Sequence, residues 1–154
     1  MINFAEKYSI MKRLFIWLVA LLSVALTSQA RMIRGCESVS EGEPSFSVDS
    51  IDCRKDLTRV YGRVIGRPHT SSRIDAVGML VPGGVLKECT DIDGVDFNRW
   101  FQWEDDSEIL LELDFGPVKD ARSGQLTFSS PRGTTIVKWT TPDTKADKKL
   151  KKRR

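Results

Sequence analysis

The chain has 154 residues and a formal net charge of +3, with 29% charged and 40% hydrophobic residues. That length holds one domain with its own hydrophobic core and leaves no room for a second of ordinary size. The single histidine excludes a zinc cluster built on several histidines, and the three widely spaced cysteines include no C-x-x-C pair, which argues against a cysteine-based zinc site.

Residues 11–30 have the pattern of a secretory signal peptide. Lys12 and Arg13 form a positive start, residues 14–26 are almost all apolar, and residues 28–30 offer small side chains at both required positions of an A-x-A-like cleavage site. As a helix, the apolar run would span roughly 20 Å, less than the ~30 Å hydrocarbon core of a bilayer. The pattern therefore favours cleavage over anchoring.

We expect residues 1–30 to be removed as a signal peptide, with Met11 as a candidate true start and the first ten residues as an upstream extension. The mature chain would then begin at Arg31. Export through the secretory pathway would bring it to the periplasm, the cell surface or the medium, with no stable transmembrane helix after cleavage. An uncleaved anchor is the alternative.

The charges are distributed unevenly along the mature chain. Residues 31–141 carry 14 Lys and Arg against 18 Asp and Glu, a net −4, whereas residues 142–154 carry 7 against 2, a net +5. We expect a flexible N-terminal segment at residues 31–44, a β-sandwich domain at residues 45–141 and a disordered basic tail at residues 142–154.

The tail is the strongest electrostatic feature of the sequence, since six of its last seven residues are basic: Lys148, Lys149, Lys151, Lys152, Arg153 and Arg154. A basic residue near an anionic lipid surface contributes about 1 kcal/mol of binding. We therefore expect contact with an anionic envelope surface. Export argues against nucleic acid as a partner, and a tail that only increases solubility is the alternative.

Period-two alternation predicts the strands. It is clearest between residues 107 and 115, where acidic residues are interleaved with the apolar Ile109, Leu111, Leu113 and Phe115. Turn residues separate eight predicted strands, at residues 46–53, 57–66, 73–81, 85–89, 97–103, 107–115, 125–129 and 134–140. Short strands without helical periodicity indicate an all-β fold, an antiparallel immunoglobulin-like β-sandwich of about seven to eight strands. A closed β-barrel is the alternative.

In an oxidising compartment, two of the three cysteines can form a disulfide bond. Cys53 and Cys89 are favoured because each lies at the end of a predicted strand, whereas Cys36 lies in the segment expected to be flexible. Three unbridged thiols are the alternative, since a bridge needs its Cα atoms about 4.4–6.8 Å apart.

Catalytic chemistry has weak candidates. His69 with Ser71 or Ser72 and Asp75 has the residue types of a Ser-His-Asp triad, but no nucleophile-elbow motif accompanies it. Carboxylates for a hydrolase are present at Asp105, Asp106, Glu108, Glu112 and Asp114. An alternating acidic row is more typical of the solvated face of a strand. No catalytic residue is therefore predicted.

Asp91, Asp93 and Asp96 surround a predicted turn and could offer oxygen ligands to calcium, with Glu88 as a further donor. The spacing is not that of an EF-hand, which has glycine at its sixth position, where this loop has an aspartate. A plain Asp-Gly hairpin turn requires no ion. No cofactor is therefore predicted, with calcium as the alternative.

Residues 99–103 form the densest aromatic stretch of the sequence. On a strand, Phe97, Phe101 and Trp103 would share one face, and Trp100 would take the other. Core packing explains the three-residue face. Trp100 is left as a platform on which a sugar ring could stack, unless it only covers the second side of the sheet.

A cationic ridge is predicted on the strand at residues 57–66. Arg59, Tyr61 and Arg63 point the same way if the strand is regular, and Arg67 and Arg73 follow close by. Such a ridge could meet an acidic protein or an anionic glycan. A solvated strand face is the alternative, because edge strands often carry cations that block aggregation.

The segments 57–63, 66–70, 91–97 and 101–105 together resemble small secreted β-sandwich proteins of the Bacteroidales, an uncharacterised group. The resemblance covers roughly residues 46–140. It implies a Gram-negative envelope or extracellular location and brings no known activity, ligand or catalytic residue.

The sequence therefore predicts an exported, non-catalytic interaction or envelope-associated module with an unknown protein or glycan partner. A glycan- or calcium-dependent binding domain is the alternative, and a carboxylate-dependent hydrolase is less favoured.

Overall fold

A computed structural model describes residues 30–141. Apart from Ala30, the predicted signal peptide lies outside the described residues, as does the basic tail. The described chain contains no helix, so none that is long and apolar enough to cross a membrane. Its eleven strands are Arg31–Arg34 (β1), Glu37–Glu41 (β2), Ser45–Cys53 (β3), Thr58–Ile65 (β4), Ser71–Arg73 (β5), Ala76–Val81 (β6), Val85–Asp93 (β7), Trp100–Gln102 (β8), Glu108–Phe115 (β9), Ser123–Ser130 (β10) and Gly133–Thr140 (β11).

The prediction of an all-β antiparallel fold is confirmed, because every strand pairing is antiparallel. Nine strands form one curled sheet in the order β1-β3-β4-β9-β7-β6-β10-β11-β2, and β5 pairs with β8 apart from it. β7 pairs first with β6 and then with β9, with an irregularity between Cys89 and Asp91. A strand that changes partners at a bulge makes a corner where a sheet folds over itself.

Each predicted strand has a counterpart in the structure, with shifted limits. The predicted strand at residues 73–81 divides into the end of β5 and all of β6. β7 continues to Asp93, four residues beyond its predicted end, so the acidic segment after Cys89 is strand rather than turn. The predicted strand at residues 97–103 is reduced to the three residues of β8.

The structure differs from the expectation of a flexible segment at residues 31–44. β1 pairs with β3 and β2 pairs with β11, which places consecutive strands at opposite edges of the sheet. The β2 hydroxyls of Ser38 and Ser40 accept hydrogen bonds from the backbone N–H groups of Val48 (3.0 Å) and Phe46 (3.1 Å) on β3. This segment therefore joins the two edges of the curled sheet.

The core lies between the two halves of the sheet. Leu111, Leu113 and Phe115 of β9 are buried, as the period-two pattern predicts. Phe46 of β3 meets Phe128 of β10 across the core, with ring centroids 4.8 Å apart. Buried aromatic side chains of this kind remove on the order of 150–250 Å² each from water, so they contribute a large share of the stability.

Trp103 closes one end of the core. Its side chain is only 2% exposed, and its indole N–H donates a hydrogen bond to the hydroxyl of Ser72 on β5 (2.9 Å). The ring packs directly on Gly66, where an added Cβ would lie 2.1 Å from a ring carbon. Glycine is required at this position because only a residue without a side chain permits that approach.

The disulfide bond predicted between Cys53 and Cys89 is not formed, and all three cysteines are free. Cys53 lies opposite Thr58, Thr58 opposite Phe115 and Phe115 opposite Cys89, so β4 and β9 separate the two thiols. Three strand spacings amount to about 14 Å. That separation exceeds the reach of a disulfide bond.

We expect Gly66→Ala to destabilise the fold by about 1–3 kcal/mol, because the new methyl group overlaps the Trp103 ring. Gly78→Ala on β6 is the matched control, since its added Cβ would meet nothing closer than a Leu86 methyl at 3.6 Å. Urea unfolding followed by near-ultraviolet circular dichroism measures both. Equal stability of the two variants would contradict this packing.

Burial raises the pKa of the Cys89 thiol from 9.0 to about 11. The folded state therefore holds the neutral thiol more strongly than the unfolded state does. This contribution to stability is complete below pH 9 and is lost as the pH rises toward 11. We expect iodoacetamide to modify Cys89 slowly at pH 8 without prior reduction, and markedly faster near pH 11 or in urea. Peptide mass spectrometry follows the reaction, and fast modification of native Cys89 at pH 8 would contradict the burial.

Candidate ligand groove

An open groove of about 710 Å³ lies at one end of the curled sheet. Four parts of the chain meet there: residues 42–45 between β2 and β3, residues 65–67 at the end of β4, the β5–β8 pair, and the turn between β10 and β11. Small-ligand sites commonly enclose about 300–1,000 Å³. The groove therefore has the size of a binding site and is built from elements that lie far apart in the sequence.

Trp100 is one of the residues that line the groove. In β8, alternation turns Phe101 toward the core and Trp100 away from it, and the Trp100 side chain is 53% exposed. Phe101 and Trp103 instead contact each other edge to face, with centroids 5.2 Å apart. The predicted orientation of Trp100 is thus confirmed, and its role as a ligand platform stays a prediction.

Two arginines lie over the Trp100 ring. The guanidinium carbon of Arg73 is 5.5 Å from the ring centroid, and that of Arg132 is 5.7 Å away. Both distances are within the range of cation–π attraction. The ring therefore restrains two flexible cationic side chains in the groove wall.

Arg73 is placed by strand pairing and by a carboxylate. It lies directly opposite Trp100 in the β5–β8 pair. Its Nε and Nη2 atoms donate to the two carboxylate oxygens of Asp75 at 2.7 and 3.3 Å. The two bonds fix the plane of the guanidinium and neutralise most of its charge.

Arg132 is held by the turn between β10 and β11. The Ser130 hydroxyl accepts a hydrogen bond from the Arg132 backbone N–H (3.2 Å) and donates one to the carbonyl of Gly133 (2.9 Å). Gly133 has φ +133°, which favours glycine. Among residues 30–141, the Arg132 side chain forms no ion pair, and its exposed guanidinium contacts only the face of the Trp100 ring.

The third cation of the groove is Arg67, whose Nη2 lies 3.1 Å from a carboxylate oxygen of Glu43. Both side chains are about three-quarters exposed, so water screens this pair and its contribution to stability is small. Three arginines and one glutamate line the groove, and with Asp75 beside Arg73 the formal charge of this wall is +1. A negatively charged ligand is therefore favoured over a positively charged one.

The cationic ridge predicted on β4 is not a free positive surface. Arg59, Tyr61 and Arg63 do share one half-buried face of the strand. Carboxylates of the neighbouring strands neutralise both cations: Asp114 (2.6 Å) and Glu112 (3.1 Å) beside Arg59, and Asp49 (3.1 Å) and Glu108 (3.4 Å) beside Arg63. The hydrogen bonds that Arg59 donates to the Asp114 carboxylate raise the pKa of Arg59. This face is a ladder of ion pairs rather than a docking surface for an acidic partner.

The predicted calcium ligands are not brought together. Asp91 and Asp93 lie on β7, where their carboxylates accept hydrogen bonds from the backbone N–H groups of Ile92 and Gly94 (both 3.0 Å). Asp96 pairs instead with Arg99 at 2.8 Å. Within the described range, no group of three His, Cys, Asp or Glu side chains could hold a metal ion.

The catalytic candidates also have other partners. His69 lies 3.1 Å from Asp105, and the two side chains are 78% and 92% exposed. Ser72 accepts its hydrogen bond from Trp103, and Asp75 binds Arg73, so no Ser-His-Asp triad is assembled. Glu108, Glu112 and Asp114 lie in the ion-pair ladder, away from the groove.

The sequence predicted Trp100 as a ligand platform and placed Arg67 and Arg73 in a separate cationic ridge, but it did not single out Arg132 or Glu43, which also line the groove. Both lie in turns whose residues signal only a change of chain direction, Pro131-Arg132-Gly133 and Glu43-Pro44. Comparison of the chain with protein-family models, with curated proteins and with solved structures finds no match.

We expect iodide to quench Trp100 fluorescence several-fold more strongly than caesium does, because the arginines concentrate anions at the ring. The preference should shrink in 1 M NaCl, where charge interactions are screened within about 3 Å. In protein that begins at Arg31 and so lacks Trp17, Trp100→Phe should abolish this component, since Trp103 and Trp139 are buried. Equal quenching by the two ions would contradict a positive groove.

Proposed function

We propose that the protein is a non-catalytic binding module and that the groove around Trp100 receives its ligand. The observation that carries this proposal is the exposed indole with two guanidinium groups over its ring, at the wall of a groove with a net positive lining. Exposed aromatic and arginine side chains are the groups most enriched among residues that dominate binding energies. Here they converge from different elements on one concave surface.

The environment of the acidic residues supports a non-catalytic role. General acid–base chemistry on a glycosidic bond needs two carboxyl groups on either side of a bound substrate. The groove contains one carboxylate, Glu43, and it is paired with Arg67. The lining thus supplies groups that hold a ligand rather than groups that exchange its protons.

We further propose that the module is exported and works at the cell envelope. The signal-peptide pattern of residues 11–30 supports export, and the resemblance to small secreted Bacteroidales proteins favours the same location. The six basic residues near the C-terminus would add attraction to anionic lipid.

Nuclear magnetic resonance of the tryptophan indole N–H groups tests the ligand site. The probes are tetragalacturonate, a heparin tetrasaccharide, tetraglutamate and neutral maltotetraose. We expect at least one probe to shift the Trp100 indole signal, while Trp139, whose N–H donates to the Ala121 carbonyl (3.1 Å), serves as the internal control. Unchanged Trp100 signals with all four probes would overturn the assignment of the groove.

A further inference from the structure

We infer that the ligand of this groove is an acidic oligosaccharide and that Arg132 anchors its carboxylate or sulfate group. This inference rests on the proposed function and adds the chemical class of the ligand. Three observations support it: Arg132 has no carboxylate partner among the described residues, its backbone and guanidinium have defined contacts, and the groove lining contains hydroxyl and aromatic groups.

Arg132 is the cation whose charge is available to a ligand. Arg73 is occupied by Asp75 and Arg67 by Glu43, whereas Arg132 has no carboxylate partner among the described residues. A guanidinium presents parallel N–H donors that match a carboxylate or a sulfate group. An oxyanion in the groove therefore finds one arginine already poised to bind it.

The Arg132 side chain is restrained before any ligand arrives. Its backbone is fixed in the Ser130–Gly133 turn, and its guanidinium lies over the Trp100 ring. A restrained donor loses less conformational freedom on binding, so more of the hydrogen-bond energy appears as affinity. Trp100 thus has two roles in this proposal: its ring positions the Arg132 guanidinium, and its exposed face contacts the ligand.

The remaining lining suits a hydroxyl-rich ligand. Five hydroxyl side chains line the groove: Ser45, Thr70, Ser72, Ser130 and Thr134. Thr70, Ser72 and Ser130 already form hydrogen bonds within the protein, which leaves Ser45 and Thr134 as the uncommitted hydroxyls of this lining. Outside the two tryptophans, the apolar side chains are limited to Ile65 and two prolines. Sugar rings match this mixture of short hydroxyls and aromatic surface better than apolar peptide side chains do.

Strand addition by an acidic peptide is disfavoured at this groove. A peptide that binds as an extra strand needs an unpaired edge. Ile65 of β4 has a paired neighbour on both sides, and the open outer edges of the β5–β8 sheet belong to strands of three residues each, which offer few main-chain hydrogen bonds.

Arg132→Ala tests the anchor by isothermal titration calorimetry with the four tetramers. The wild-type protein should bind tetragalacturonate, the heparin tetrasaccharide or both, and maltotetraose at least about tenfold more weakly. Arg132→Ala should weaken acidic-sugar binding by about tenfold or more, as the loss of a charged hydrogen bond requires. Arg132→Lys should recover part of it.

Arg99→Ala is the matched control, since Arg99 is an exposed arginine paired with Asp96 and outside the groove. It removes the same charge and should change the affinity less than twofold. Thermal unfolding of all variants checks that they remain folded. Binding of tetragalacturonate alone identifies a carboxylate, and binding of the heparin fragment alone identifies a sulfate.

Three outcomes would overturn the inference: maltotetraose binding as tightly as the acidic sugars, equal losses in Arg132→Ala and Arg99→Ala, or binding of tetraglutamate without either acidic sugar. With any of these three outcomes the groove can still be the binding site, as long as a probe shifts the Trp100 indole signal in the magnetic resonance experiment. A silent Trp100 signal with every probe would instead remove the proposed function itself.

Discussion

The structure depends on how the edges of its curled sheet are covered. An unpaired strand edge exposes a row of backbone donors and acceptors that can recruit another chain. Here β1 covers part of one edge and β2 covers the other, within eleven consecutive residues. The hydroxyls of Ser38 and Ser40 then satisfy β3 donors that no strand pairs. Because residues 42–45 follow immediately, edge closure also positions one wall of the groove.

Trp103 connects the core to that groove. Its ring fills the space above Gly66, and its hydrogen bond to Ser72 ties the middle of β5 to the residue that follows β8. With both short strands fixed, the alternation of β8 leaves Trp100 outside, directly opposite Arg73. The buried Trp103 thus determines where the exposed Trp100 lies. The packing of Trp103 on Gly66 is therefore also needed to form the groove.

The features that the sequence predicted correctly are those that depend only on neighbouring residues along the chain. The alternation of β9 and the outward position of Trp100 follow from the period of a strand, and both are found. β1 and β2 were missed because their short sequences carry little apolar alternation and are held by partners elsewhere in the chain. The disulfide prediction failed for the same reason: sequence places Cys53 and Cys89 at strand ends but does not show the two strands between them.

The arginines show most clearly why the site itself could not be predicted. Arg59 and Arg63 stand in the middle of a sheet, where carboxylates of the neighbouring strands are within reach. Asp114 lies directly opposite Arg59, and Asp49 and Glu108 lie diagonally across from Arg63. Their charges are therefore balanced within the fold. Arg132 stands at the tip of a turn, beyond the last rung of β10 and β11, where no cross-strand neighbour faces it. An arginine within the sheet is therefore neutralised by neighbouring carboxylates, whereas an arginine at the turn can bind a ligand. Strand register decides which carboxylates lie beside which arginine, and the sequence alone did not specify that register.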